Sequence, residues 1–403
     1  MKSRYSSDMN SRQRMDVAMR LGTPDRVPVM CQLSLGHYFL NSGLDALDIW
    51  YSTEGFAEAL IRLQQRYGFD GILINLPGRD PNWRSYITRI EQREGERIIH
   101  WKNGMYSMLP DADLPHVFQP DGTRYFAKIE EVDPAQLFYI EPHDLSGVTY
   151  PYTWGMSDEV APHGKDFFPP WNCDTIKEIV RRVGDQVAVH GEVYSPFSQL
   201  MDLFDLTPAL LAIRRHPEKL KDCLEALTVG TIELGRQQAA AGVHAVIISS
   251  AFAGASFIGR HQYEQFVLPY ERKVVAGIKA QFDLPIYTHT CGDIGDRLDL
   301  MEQTGTNGID TLDPPPLGTV ELADAKRQTA GRLFLKGNLD PVALMTGTPE
   351  DAFTAARERL QIAAPGGGYI LSTACSVAPS TPPVNIEQLR IAAEQFGRYP
   401  LSS

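Results

Sequence analysis

The feature that most constrains this chain is an alternation. Eight short runs rich in Val, Ile and Leu recur along it, each followed by polar or small residues and then by a stretch with apolar positions three and four apart. Read as buried strands, they are 26–32 (RVPVMCQ), 71–76 (GILINL), 187–193 (VAVHGEV), 244–250 (HAVIISS), 285–290 (PIYTHT), 308–313 (GIDTLD), 333–338 (LFLKGN) and 369–375 (YILSTAC). Apolar runs of this length suit strands covered on both faces, as in a parallel sheet. The intervening segments, among them FAEALIRLQQRYG, PEKLKDCLEALTVGTIELGRQQAAAG, RHQYEQFVLPYERKVVAGIKAQF and TPEDAFTAARERLQIAAPGGG, read as amphipathic helices that often stop at Gly. Thr348-Pro349-Glu350 opens the last of these with a capping hydroxyl and a proline in the first turn. Eight alternations predict an α/β fold, a (β/α)8 TIM barrel, with a doubly wound open sheet as the second choice. No GxGxxG follows the first strand, which weakens a dinucleotide-binding reading.

One segment breaks the rhythm. Residues 77–170 are too long for a strand-to-helix loop and contain two alternating stretches, SYITRIEQREGERIIHWKNGMYSMLP and TRYFAKIEEV. They predict a β-rich insertion between the second and third strands, a hairpin or small antiparallel subdomain returning through the aromatic, Pro-rich YPYTWGMSDEVAPHGKDFFPPW. Such an insertion serves either as a cover over the barrel mouth or as a decorative, dimer-forming surface.

Composition narrows the function classes. A formal charge of −12 with no Lys/Arg block argues against a nucleic-acid partner. No apolar run reaches the roughly 18 residues of a membrane span, and MKSRYSSDMNSRQRMDVAMR carries no apolar signal region, so a cytoplasmic location is expected. Five cysteines in 403 residues are too sparse for a disulfide scaffold. A special cysteine here is a ligand or a nucleophile, and Cys31, Cys173 and Cys223, without partner spacing, read as ordinary small side chains.

In a barrel, the residues ending the strands share one face, however far apart they lie in sequence. His289 and Cys291, at i and i+2 on one strand, point the same way, and Cys375 ends the last strand across the same mouth. One imidazole and two thiolates suit Zn²⁺, with a fourth position left for substrate. Glu192 ends the third strand as a general acid or zinc-reaching carboxylate, or else as a salt-bridged barrel residue. His190, two residues earlier, reads as a core histidine or one that supports a ligand, and Asp293 as the cap of a helix starting at Ile294 or as a group that orients His289. Tyr194, Asn338 and Asp340 are the candidate cofactor-binding residues of the same mouth; for Asp340 an Asn-Leu-Asp-Pro turn is the competing explanation.

The stretches NSRQRMDVAMRLGTPDRVPV, HGEVYSPFSQLMDLFDLTPALLAIRRHPEKL, AAAGVHAVIISS through YEQFVLPYERKVV, and FLKGNLDPVALMTGTPE resemble the uroporphyrinogen decarboxylase superfamily over nearly the whole chain outside the insertion. The resemblance implies a (β/α)8 barrel. HTCGD with a distant cysteine on the last strand is similar to the superfamily's zinc-dependent, corrinoid (cobalamin) methyltransferase branch, which implies His289, Cys291 and Cys375 as zinc ligands and a corrinoid protein as partner. The decarboxylase proper has an arginine-rich amino-terminal motif where this chain has VPVMCQLSLGHYF. The spacing also resembles the zinc site of cobalamin-independent methionine synthase, which implies Asp313 as a fourth or exchangeable ligand in place of that family's glutamate; a strand-ending turn residue is the alternative.

The expected activity is methyl transfer between a small substrate and the cobalt of a corrinoid protein. The many aromatics near strand ends and in the insertion (Tyr194, Phe197, Phe252, Phe257, Tyr287, Trp83, Trp101, Tyr106, Trp154, Phe167, Phe168, Trp171) point to an aromatic donor and O-demethylation of an aryl methyl ether, with Glu192 as acid. A thiol acceptor, a non-porphyrin decarboxylase on the same barrel, and a non-catalytic barrel that has kept its zinc are the rival readings. A homodimer is compatible with all of them.

Overall fold

The computed structural model describes residues 9–124, 126–141 and 164–401. Seven parallel strands form one sheet: β1 (Gly71–Ile74), then, after the insertion, β6 (Ala188–Tyr194), β7 (Ala245–Ser249), β8 (Ile286–His289), β9 (Gly308–Thr311), β10 (Phe334–Leu339) and β11 (Tyr369–Thr373), hydrogen-bonded in that order. The predicted first strand closes the circle. Val29 bridges Leu371 in parallel, and the Leu371 amide donates to Pro28 O at 2.9 Å. On its other side the Asp70 amide donates to Val29 O at 2.7 Å. Pro28 has no N–H to give, so this edge pairs as isolated bridges rather than as a continuous ladder.

The closing segment is locked by charge. The Asp70 carboxylate, fully buried, accepts from Arg14 Nη1 (2.7 Å), from Arg26 Nη1 and Nη2 (2.8 and 3.0 Å) and from the Val29 amide (2.8 Å). These arginines sit at the amino-terminal end of the strands. Above them the barrel is plugged by inward side chains such as Met30, Leu73, Tyr287, Phe334 and Ile370, sealed below by Met15, Ala18 and Met19 of the helix Ser11–Met19. The larger apolar core lies between the sheet and its surrounding helices.

Two elements depart from expectation. The segment 260–282 is two helices, Arg260–Phe266 and Leu268–Lys279, because Pro269 has no N–H to donate to the turn before it and is tolerated only in the first turn of a new helix. Within the insertion, β2 (Ile87–Arg93), β3 (Glu96–Trp101), β4 (Tyr106–Pro110) and β5 (His116–Phe118) make a four-stranded antiparallel sheet. The fourth strand is thus His116–Phe118, not TRYFAKIEEV. A turn at Gly122 (φ +85°) ends β5, Phe118 stacks on Tyr106 at 5.1 Å, and the chain then leaves to place Ala127 N on Leu203 O. The amino-terminal cap expected at Thr348 forms, and Asp351 completes it as a capping box.

Candidate metal centre

The polar layer of the barrel follows from the strand period. Side chains two residues above the apolar plug face inward again, and there the sequence supplies Gln32, Asn75, Glu192, Ser249, His289, Asp310 and Lys336. His289, Cys291 and Cys375 converge at the carboxyl ends of β8 and β11, their ligand atoms all within 4.8 Å of one another. His289 Nε2 lies 3.3 Å from Cys291 Sγ, and the two sulfurs are 3.7 Å apart across 84 residues of chain. A tetrahedral zinc with bonds of about 2.3 Å to S and 2.0–2.1 Å to N needs edges of about 3.8 Å between sulfurs and about 3.6 Å from N to S. The donor set fits that ion in chemistry and in spacing.

A buried charge chain holds the histidine. His289 Nδ1 faces Asp310 Oδ2 at 3.1 Å, and Lys336 Nζ donates to Asp310 Oδ1 at 2.8 Å. Nδ1 carries the proton shared with Asp310, so Nε2 is the atom presented to the thiols. Burial works against the imidazolium, yet Asp310 and Cys375 outweigh it and push His289 up to about 10. Burial likewise opposes the Asp310 carboxylate, but Lys336 and His289 hold it down at about 2. Cys375 is pulled well below the usual thiol range by its contact with Cys291 and by His289, so its thiolate is the favoured form. A divalent cation bound here would take the place of the protons at Nε2 and Cys291.

Asp313 lies outside this trio. Its carboxylate accepts the Gly292 amide at 2.5 Å, an approach made by the left-handed Gly292 (φ +76°) that follows Cys291. Burial raises it to about 6 against that hydrogen bond. Thr311 and Leu312 also have positive φ (77° and 59°), which breaks the alternation between Asp310 and Asp313 and turns both carboxylates toward the site; Thr311 Oγ1 secures the bend on Thr290 O at 2.6 Å.

Glu192 is buried at the end of β6, where Oε1 accepts from the Ser249 hydroxyl and Oε2 has no partner. Burial raises it to about 7, with Ser249 and the nearby His289 opposing. His190 lies one layer below on Tyr287 (2.9 Å), lowered to about 3 by burial, and is a neutral core residue as expected. Tyr194 ends β6 half-buried, its amide 3.5 Å from the Tyr139 hydroxyl. Asn338 is buried and donates to Leu312 O at 2.8 Å, while its Oδ1 is unpartnered. Asp340 caps the helix Pro341–Thr346 through Val342 N and Ala343 N. Asp293 caps no helix: the next one begins at Leu298, and Asp293 takes the Thr319 hydroxyl instead.

Several aromatics expected in a pocket are spent on packing. Trp83 stacks on Tyr51, Trp101 meets the same ring edge-on and donates to Ser107, Phe167 and Phe168 pack on Phe138, and Tyr287 belongs to the barrel plug. Trp154 lies outside the described residues. Sequence reasoning missed Asp310 and Lys336, although a charged residue in the middle of an apolar run is itself a signal that a buried partner exists.

A model of the uroporphyrinogen decarboxylase (URO-D) family matches residues 159–396, more than half of the chain. The chain belongs to the uroporphyrinogen decarboxylase family. Similar proteins within reach of this family include the methylcobamide:CoM methyltransferase MtbA of Methanosarcina acetivorans, 28% identical over 236 residues that cover 55% of this chain and 62% of that protein. The uroporphyrinogen decarboxylase of Cupriavidus necator is 34% identical over 184 residues, 43% of this chain and 47% of that one. The chain thus matches less than two thirds of the length of these curated relatives. A solved methyltransferase from Methanosarcina mazei has the same fold, with a TM-score of 0.69, 19% identity and coverage of 96% and 99% of the two chains. Among the described residues no helix is long and apolar enough to cross a membrane.

Proposed function

We propose that this member of the family is a zinc-dependent methyltransferase that moves a methyl group between a small substrate and the corrinoid of a partner protein. The observation that carries the reading is the convergence of His289, Cys291 and Cys375 within 4.8 Å beside the buried Glu192. Bound by these three side chains, zinc supplies Lewis acidity toward a substrate oxygen or sulfur. Asp310 and Lys336 orient the imidazole and balance the buried charge. Glu192, held by Ser249 through one oxygen and protonated near neutrality, offers the other to a leaving group. That acid favours O-demethylation of an aryl methyl ether: the methyl–oxygen bond breaks, the methyl passes to the corrinoid, and the departing oxygen takes the Glu192 proton.

The amino-terminal arginines argue against a carboxylate-rich porphyrinogen as substrate, because Arg14 and Arg26 are committed to Asp70 at the opposite end of the barrel. The insertion is read as part of the mouth's cover, since its return segment places Tyr139 on Tyr194 and Ile140 N on Gln199 at 2.9 Å. A thiol acceptor is the second reading, favoured by the methylcobamide:CoM methyltransferase and the methylated-thiol--coenzyme M methyltransferase among the similar proteins.

The test is incubation with a Co(I) corrinoid protein and a panel of methoxyarenes, methylamines, methanol and methylated thiols, followed by the corrinoid spectrum. Methylation from a methoxyarene is expected. Demethylation of methyl-Co(III) by a thiol, with no donor active, reverses the direction; no exchange in either direction overturns the reading.

A further inference from the structure

Of the five cysteines, Cys31, Cys173 and Cys223 are buried, while Cys291 and Cys375 are partly exposed. These two are also the pair whose sulfurs lie together, 3.7 Å apart across 84 residues of chain. Neither sits inside a strand. β8 ends at His289 and β11 at Thr373, so each cysteine stands two residues past the last rung of its ladder, at the open end of the barrel. A small reagent entering the mouth therefore meets these two sulfurs and not the other three.

The backbone under Cys291 is packed tightly by the neighbouring loops. A Cβ on Gly254 would stand 2.4 Å from Cys291 O, and the Ala255 amide donates to Asp293 O at 2.6 Å. Cys375 lies on a bend, with the Ala374 amide on Leu339 O at 2.7 Å before it and the Val377 amide on Gln32 O at 2.9 Å after it. The two sulfurs are thus kept facing each other by four separate loops. A sulfur–sulfur bond is about 2.05 Å long, whereas two thiolates on one zinc stand about 3.8 Å apart. The observed separation is the metal-binding one, and closing it takes about 1.7 Å of sulfur travel shared between two side chains. Zinc and a disulfide are therefore alternatives at one place. Closure leaves His289 as the single remaining donor of the three, too few to hold the ion.

We propose that Cys291 and Cys375 form a redox switch, in which a low-molecular-weight disulfide oxidises the pair to an intramolecular disulfide that expels the zinc, and a dithiol with zinc restores the site. The inference rests on the zinc reading above and concerns the regulation of that same site. One cysteine thiolate attacks the reagent's disulfide, forming a mixed disulfide and releasing the first reagent thiolate. The other cysteine thiolate then attacks the protein sulfur of that mixed disulfide, closing Cys291 on Cys375 and releasing the second. Two electrons pass from the pair to the reagent, both reagent thiolates take protons from solvent, and Zn²⁺ departs with its charge unchanged.

Incubation of the zinc-loaded full chain with glutathione disulfide tests the switch, against a sample without the reagent. A chromophoric chelator reads free zinc, and peptide mapping reads the disulfides. Zinc is expected to leave one for one with a link between the Cys291 and Cys375 peptides, with the circular dichroism of the secondary structure unchanged. Dithiothreitol and zinc are expected to return the metal in full. Cys291→Ser and Cys375→Ser are each expected to stop at a mixed disulfide with glutathione on the remaining cysteine. Wild type that carries no zinc after loading overturns the metal reading and the switch together. Zinc that stays bound through the incubation, a link made to Cys31, Cys173 or Cys223 instead, or a loss of secondary structure overturns the switch and leaves the metal reading standing.

Discussion

Asp310 holds the imidazole on one side and neutralises Lys336 on the other, so its removal has two separable effects. Asp310→Asn is expected to weaken metal affinity by 10- to 100-fold, read by competition with a chromophoric chelator. It also leaves Lys336 buried without its charge partner, which costs about 3–5 kcal/mol in denaturant unfolding. Adding Lys336→Met is expected to restore most of the stability and none of the affinity. Glu192 gives a pH signature. Its protonated form is the competent acid, so turnover falls as pH rises through about 7, and Glu192→Gln removes that limb from the profile along with most of the rate. The convergence of His289, Cys291 and Cys375 was legible because period-2 geometry and strand ends are enough to bring them together. Asp310 and Lys336 were hidden inside runs read only for hydrophobicity, and the left-handed turn at Thr311–Leu312 that sets Asp313 is a backbone event no composition announces.

At the scale of elements, seven of the eight predicted strands form in their expected stretches, since each apolar run must be covered on both faces, and the first runs in place as a bridged segment. What the pattern could not resolve was local competition: Pro269 splitting a continuous helical pattern, and Leu203 capturing the segment expected to extend the small sheet. The weakest seam of the barrel is the bridged segment around Val29, where Asp70 replaces ladder hydrogen bonds with ionic ones. Asp70→Asn is expected to cost about 3–5 kcal/mol by leaving two buried guanidinium groups under-paired. Hydrogen exchange should then speed at Met30 and Leu371, whose amides close that seam, before it speeds at β7 and β8 in the sheet centre. Uniform acceleration across all strands would show that the seam is not the element Asp70 protects.

For the whole molecule, stability has a pH dependence that the site does not set. Glu271 packs behind β7 in full burial, which raises its carboxyl from 4.5 to about 7, with hydrogen bonds from Ser250 and Tyr263 opposing. A carboxyl raised in the folded state contributes stability that is complete below about 4.5 and is lost as pH rises through about 7. The loss is at most about 3 kcal/mol at pH 8. Glu271→Gln is therefore expected to raise Tm relative to wild type at pH 8 and to leave no such gain at pH 5. The barrel's division of labour rests elsewhere, with charge locks at the amino-terminal ends of the strands and the His289, Cys291 and Cys375 cluster at the carboxyl ends. Zinc content by elemental analysis of purified wild type, Cys291→Ala and Cys375→Ala tests the central assignment most directly. About one zinc per wild-type chain, with little in either folded variant, is the predicted result; full zinc in both variants would contradict it.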